Sequence, residues 1–181
     1  MTRSSRHVEP RGALQIARHY VRDLVYGAND GIITTFAVVA GVSGGGLSLR
    51  VVLIIGAANL FADGLSMGVG NYLAIRSHES VLAAQDLPEE EAAPIRHGVA
   101  TFAAFVLAGV VPLVPYMTPA LSADRFALSI VLTLIALFGV GASRALIADV
   151  RWWLGGLEML ALGGLVAAAA YGSGANPCVR M

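Results

Sequence analysis

The sequence predicts an all-α membrane protein with five transmembrane helices, and three observations carry that reading. Hydrophobic residues fill 56% of the 181 positions and charged ones only 13%, with a mean hydropathy of +0.71. Average soluble domains carry about 25% charged residues. Second, five apolar runs (about 24–44, 51–75, 97–117, 125–144 and 152–174) are separated by short polar, glycine-rich or proline-rich segments. About 20 residues rising 1.5 Å each cross a hydrocarbon core of roughly 30 Å. Third, all 12 basic residues are Arg. With the N-terminus in the cytoplasm, Arg3, Arg6, Arg11, Arg18, Arg22, Arg76, Arg96, Arg144 and Arg151 fall inside and Arg50, Arg125 and Arg180 outside. That asymmetry follows the positive-inside rule and puts the C-terminus on the opposite side.

The same composition excludes several functions. A net charge of zero gives no basis for nucleic-acid binding. The single Cys178 excludes an intramolecular disulfide and a cysteine-based metal cluster. No catalytic constellation stands out, so neither an enzymatic role nor a permanently bound cofactor is expected.

Residues 1–22 form a basic leader without the early apolar core of a signal peptide. From Gly12, Leu14, Ala17, Val21 and Leu24 share a face. This segment is either an interfacial helix feeding the first span or a solvated leader. The first span must begin near Asp23 or Leu24, because the stretch from Asp30 to Gly44 is only about 20 Å of helix. Asn29 and Asp30 therefore lie within the membrane. Gly44–Arg50 is a turn. The second span, from Val51 to Ile75, has one formal charge, Asp63, at its midpoint. Residues 77–95 form a short acidic cytoplasmic loop with His78, Glu79, Asp86, Glu89, Glu90 and Glu91. It is either a solvated connection or a metal-attracting one. The third span ends among Pro112, Pro115 and Pro119, the fourth holds Gly139 and Gly141, and the fifth carries Glu158 beside Met159. Residues 176–181 form a short tail.

Intramembrane carboxylates are costly and mark functional sites by default, which singles out Asp30 and Asp63. At helical spacing Asn59, Asp63, Ser66, Met67 and Asn71 share a face of the second span with small residues around Gly64, Gly68 and Gly70. Those small residues allow close helix approach, including across a dimer. Counted from the span ends, Asp30 and Glu158 sit about 9 Å deep, Asn71 about 6 Å, Met67 about 12 Å and Asp63 about 18 Å. Asp30, Asn71, Met67 and Glu158 are thus expected in one layer with Asp63 below it. Two carboxylates, an amide and a thioether suit a divalent metal of intermediate softness, such as Fe²⁺ or Mn²⁺. Close carboxylates also share protons, which makes metal–proton exchange natural. Bland readings stand beside these. Asn29 and Asn59 can be hydrogen-bonding glue between helices, Met67 can be packing, and Glu158 can snorkel to an interface.

Two segments resemble a known family. Val25-Tyr-Gly-Ala-Asn-Asp-Gly-Ile-Ile-Thr-Thr-Phe-Ala-Val-Val-Ala-Gly-Val42 is similar to the opening helix of the vacuolar iron transporter family. Ala62-Asp-Gly-Leu-Ser-Met-Gly-Val-Gly-Asn-Tyr72 is similar to its second helix. Gly156-Leu-Glu-Met159 and Pro112-Leu-Val-Pro115 also fit, and the likeness spans about residues 20–174. It implies a five-helix, dimeric membrane protein that moves Fe²⁺, and often Mn²⁺, out of the cytosol against protons. It places Asp30 and Met67 on the transport path. The chain departs from the family pattern twice: Asn71 stands where the family usually has Glu, and only Ser77–Ile95 replaces a larger Glu-rich cytoplasmic domain.

The expected function is export of a divalent metal from the cytoplasm by proton antiport, in the inner membrane of a prokaryote. Asp30, Met67, Asp63, Asn71 and Glu158 would hold metal, Asp63 and Glu158 would relay protons, and Asn29, Asn59 and Ser66 would be secondary polar groups. Metal ions, protons, the bilayer and a second copy are the expected partners. The alternative is a non-transporting membrane protein that keeps the fold as an assembly partner.

Overall fold

The computed structural model describes Ser5 and residues 12–118, 124–147 and 151–175. The chain runs α1 (Ala13–Gly44), α2 (Leu49–Ala84), α3 (Pro94–Gly109), a 3₁₀ turn (Val111–Leu113), α4 (Val114–Met117), α5 (Arg125–Ile147) and α6 (Trp152–Ala175). Among the described residues the only extended pairing is an isolated bridge between Ser5 and Glu89. Five segments are long and apolar enough to cross a membrane: Leu14–Gly44, Leu49–Ala84, Pro94–Met117, Arg125–Ala145 and Trp152–Ser173.

Local chemistry explains the boundaries. The α1–α2 turn uses Gly46 at φ +70°, a conformation that favours glycine. Pro94 opens α3, where a missing N–H is harmless. The third span breaks after Gly109 because Pro112 and Pro115 cannot donate to a continuing helix. Ser129 Oγ on α5 donates to the Pro112 carbonyl at 2.7 Å, which partners a buried acceptor at the break.

Two helices are longer than the sequence predicts. α1 begins at Ala13 and passes without interruption through the expected leader. α2 runs on to Ala84, so residues 77–84 of the expected loop are helical and Leu82 is buried. Neither Gln15–Tyr26 nor Arg76–Ala84 contains Pro or Gly, so nothing in either stops a helix from continuing past the membrane boundary. The rest of the leader (1–4 and 6–11), Pro119 and the 176–181 tail with Cys178 lie outside the described residues.

α1 is the central helix, packed on α2, α3, α5 and α6. Its Ile32, Thr35 and Val39 are completely buried. α2 is peripheral. Its buried membrane-level positions are Val52, Gly56, Leu60, Gly64 and Gly68, one narrow line at four-residue spacing. Phe61 and Leu65 on its other side are 63% and 59% exposed, apolar surface that a bilayer covers.

Close backbone approach seats α1 and α2 on α3. A Cβ on Gly31 would lie 2.3 Å from the Phe105 carbonyl oxygen. Gly68 and Gly98 face one another so closely that a Cβ on either would meet the other's carbonyl oxygen, at 2.8 and 2.6 Å. Gly64 also faces α3, through Phe102 and Phe105, whereas Gly70 has nothing within 4 Å. The small residues at 64 and 68 therefore serve packing inside the chain.

Candidate functional site

The polar residues of α1 and α2 meet along one antiparallel seam. At one level Asn71 Nδ2 donates to Asp23 Oδ1 and to Thr101 Oγ1, both at 2.8 Å. Seven residues further along α1 and eight back along α2, Asp30 and Asp63 are near enough for their charges to act on one another. Both are half-buried. Neither carboxylate has a hydrogen bond or an ion pair among the described residues. Thr34 Oγ1 donates at 2.8 Å to the main-chain oxygen of Asp30, which leaves the side chain uncommitted.

Further unpartnered polarity surrounds the pair. Asn29 Oδ1 and Asn59 Nδ2 are buried without hydrogen bonds. Asn59, Asp63 and Met67 stand four residues apart, so they stack on one face of α2. Met67 is partly buried against the apolar core, and Ser66 is exposed. Two like charges in a low-dielectric seam repel, and no protein cation neutralises them among the described residues. A divalent cation would reverse that repulsion, and carboxylate, amide and thioether donors suit a metal of intermediate softness.

Asp30 and Asn71, expected in one layer, stand about two helical turns apart along the seam. Asn71 is level with Asp23, at the N-terminal end of the seam, with its amide nitrogen shared between two oxygens. Asp63, expected deeper, is the residue that acts on Asp30. Glu158 pairs with Arg144 of α5, and its side chain is 57% exposed. Depths counted from span ends assume that the ends are known. Both α1 and α2 overrun them, and packing on α3 sets their register instead.

Two residues missed by the sequence reading are the most buried ionisable groups described, Asp23 at 2% and His97 at 4% exposure. His97 Nδ1 lies 2.5 Å from Asp23 Oδ2. Helical spacing held a signal for Asp23, which is two turns before Asp30 on one uninterrupted helix. His97, a lone imidazole at the start of an apolar run, gave none.

Fold and site together define a class: a multi-pass integral membrane protein with a carboxylate pair held at bilayer level and no protein counter-charge among the described residues. The VIT family model matches residues 21–92 and 81–175, and the chain belongs to that family. Vacuolar iron transporter 1 of Eucalyptus grandis is 28% identical over 213 residues, covering 86% of each chain. Vacuolar iron transporter 1 of Arabidopsis thaliana is 27% identical over 212 residues, covering 86% of this chain and 85% of that one. The vacuolar iron transporter of Toxoplasma gondii is 44% identical over 71 residues, 39% of this chain and 24% of that one. The two longer alignments exceed the 181 residues of this chain, so those relatives hold residues that it lacks. The two matched segments overlap over 81–92, the last turn of α2 and most of its connection to α3.

Proposed function

We propose that the protein is a metal transporter that moves a divalent transition metal, Fe²⁺ or Mn²⁺, across its membrane in exchange for protons. The unneutralised Asp30–Asp63 pair carries this reading. Family membership and relatives named as iron transporters support the metal. Asp30 and Asp63 supply carboxylate oxygens, Met67 a thioether and Asn29 an amide oxygen. When metal leaves, protons take its place on the carboxylates, which relieves the like-charge repulsion and couples the two fluxes. Asn71, about two turns from the pair, keeps its amide oxygen uncommitted while its nitrogen donates to Asp23 and Thr101, and Glu158 is paired with Arg144, so neither is counted in the ligand set of the pair.

The N-terminal end of α1 faces the cytoplasm in this reading, and flux is outward from that side. A homodimer is part of the proposal. Ser66 and Gly70 are exposed on α2 beside Asp63 and Met67, a small and polar strip better covered by a second copy than by lipid. The relatives are named for vacuoles, and they do not support the expected inner membrane of a prokaryote.

The test is metal uptake into proteoliposomes with an imposed proton gradient. Uptake of Fe²⁺ or Mn²⁺ that stops when an ionophore collapses the gradient is the expected result. Folded protein that moves neither ion favours the non-transporting alternative.

A further inference from the structure

A second group of metal-ligating side chains lies outside the carboxylate seam, where the N-terminal part of α1, the end of α2, the α2–α3 connection and the start of α3 border an open cavity of about 520 Å³. His19, Glu91 and His97 line it, and their ligand atoms all lie within 4.8 Å of one another. Glu91 Oε2 is 3.0 Å from His97 Nε2 and 3.3 Å from His19 Nε2. Ligands about 2.1 Å from a metal stand roughly 3.0–3.4 Å apart in octahedral or tetrahedral geometry, and these two separations fall in that range.

Two of the three ligands are held from behind. His97 is buried, and its Nδ1 faces Asp23 Oδ2 at 2.5 Å. The carboxylate fixes the proton on Nδ1 and turns the bare Nε2 into the cavity, the arrangement found behind metal-bound histidines. That Nε2 is buried and satisfies no hydrogen-bond geometry, although Glu91 Oε2 is close. With Nδ1 holding the only ring proton, Nε2 and Glu91 Oε2 are two acceptors 3.0 Å apart, an arrangement relieved by a second ring proton or by a metal ion. Glu91 Oε1 accepts from the Ala93 N–H at 3.0 Å, which aims Oε2 at the histidines. Glu79 Oε1 accepts from the N–H groups of Glu90 and Glu91 at 3.0 and 2.8 Å, which holds the loop against α2.

We propose that His19, Glu91 and His97 form a binding site for a divalent transition metal, with Asp23 as the residue that positions His97. Two imidazoles and one carboxylate leave coordination positions open to water, so the ion exchanges more readily than in a closed four-ligand site. The geometry sets the site at the end of the same seam, since Asn71 bridges Asp23 to α2. Its role in delivering metal to Asp30 and Asp63 rests on the transport reading, whereas the binding itself does not.

The test is Co²⁺ titration of the metal-free, untagged full chain in detergent, read by X-ray absorption for imidazole scattering. Wild type is expected to bind Co²⁺ with two imidazole nitrogens. His19→Gln and Glu91→Gln are expected to weaken that binding at least about tenfold, and Asp23→Asn by about 10–100-fold at unchanged ligand number, as outer-shell changes do. Asp30→Asn with Asp63→Asn is expected to keep the imidazole signal. The proposal is overturned if folded wild type shows no imidazole-bound Co²⁺, or if the signal survives both ligand variants and disappears in His78→Gln. Imidazole-bound Co²⁺ without metal flux would sink the transport reading alone. Flux without imidazole-bound Co²⁺ would sink this site alone.

Discussion

Asp23 and Asp30 lie on one helix two turns apart, and their surroundings are opposite. Asp23 is 2% exposed and contacts His97, Asn71 and Arg22, the last at 3.5 Å. Asp30 is half-buried, faces another acid and has no side-chain partner among the described residues. The same residue type thus serves two purposes. A buried carboxylate that is fully hydrogen-bonded fixes where helices meet, whereas one opposed by like charge is, in the proposed transporter, held ready for the metal cargo.

Substitution can break that contrast. Asp30→Asn or Asp63→Asn should lower metal flux by about a hundredfold or more, the scale of losing ~3 kcal/mol of ligand affinity. Neither should lower the melting temperature, because each removes half of a repulsive pair. Asp23→Ala should do the reverse to the fold. Removing one partner of a buried, hydrogen-bonded pair costs about 3 kcal/mol, and thermal unfolding in detergent should shift down by several degrees.

The next effects are smaller. Gly98→Ala should cost about 1–3 kcal/mol, because the added Cβ meets the Gly68 carbonyl and α2 must move off α3. Met67→Leu keeps apolar volume and removes the thioether, so flux should fall by less than about tenfold with little change in melting temperature. Glu158→Gln should change both least. Its pair with Arg144 is half exposed, worth at most about 0.5 kcal/mol after screening. A large flux loss in that variant would restore Glu158 to the metal or proton path.

Much of the fold was legible because membrane crossing is a matter of length and hydropathy. Five spans were readable, and so were the prolines that break the third. Asp30 and Asp63 were each legible because a charge in an apolar run stands out. Their relative depth was not. It depends on how Gly31, Gly68 and Gly98 seat α1 and α2 on α3, and no count from a span end contains that packing. The same limit hid the polar cluster. His19 and Asp23 lay in a segment that composition assigned to a leader, Glu91 in an acidic loop and His97 at the edge of a span. Only the uninterrupted extension of α1 and α2 brings those segments together.

The central claim is that Asp30 holds the cargo within the membrane, whereas Asp23 holds the helices and His97 in place. The most direct measurement takes Asp30→Asn and Asp23→Asn side by side, with proton-driven Mn²⁺ uptake in proteoliposomes and melting temperature in detergent recorded for each. The account predicts that Asp30→Asn loses uptake with an unchanged or higher melting temperature, while Asp23→Asn melts lower and keeps more uptake. If Asp30→Asn transports like wild type, or if it destabilises the protein as much as Asp23→Asn does, the account is contradicted.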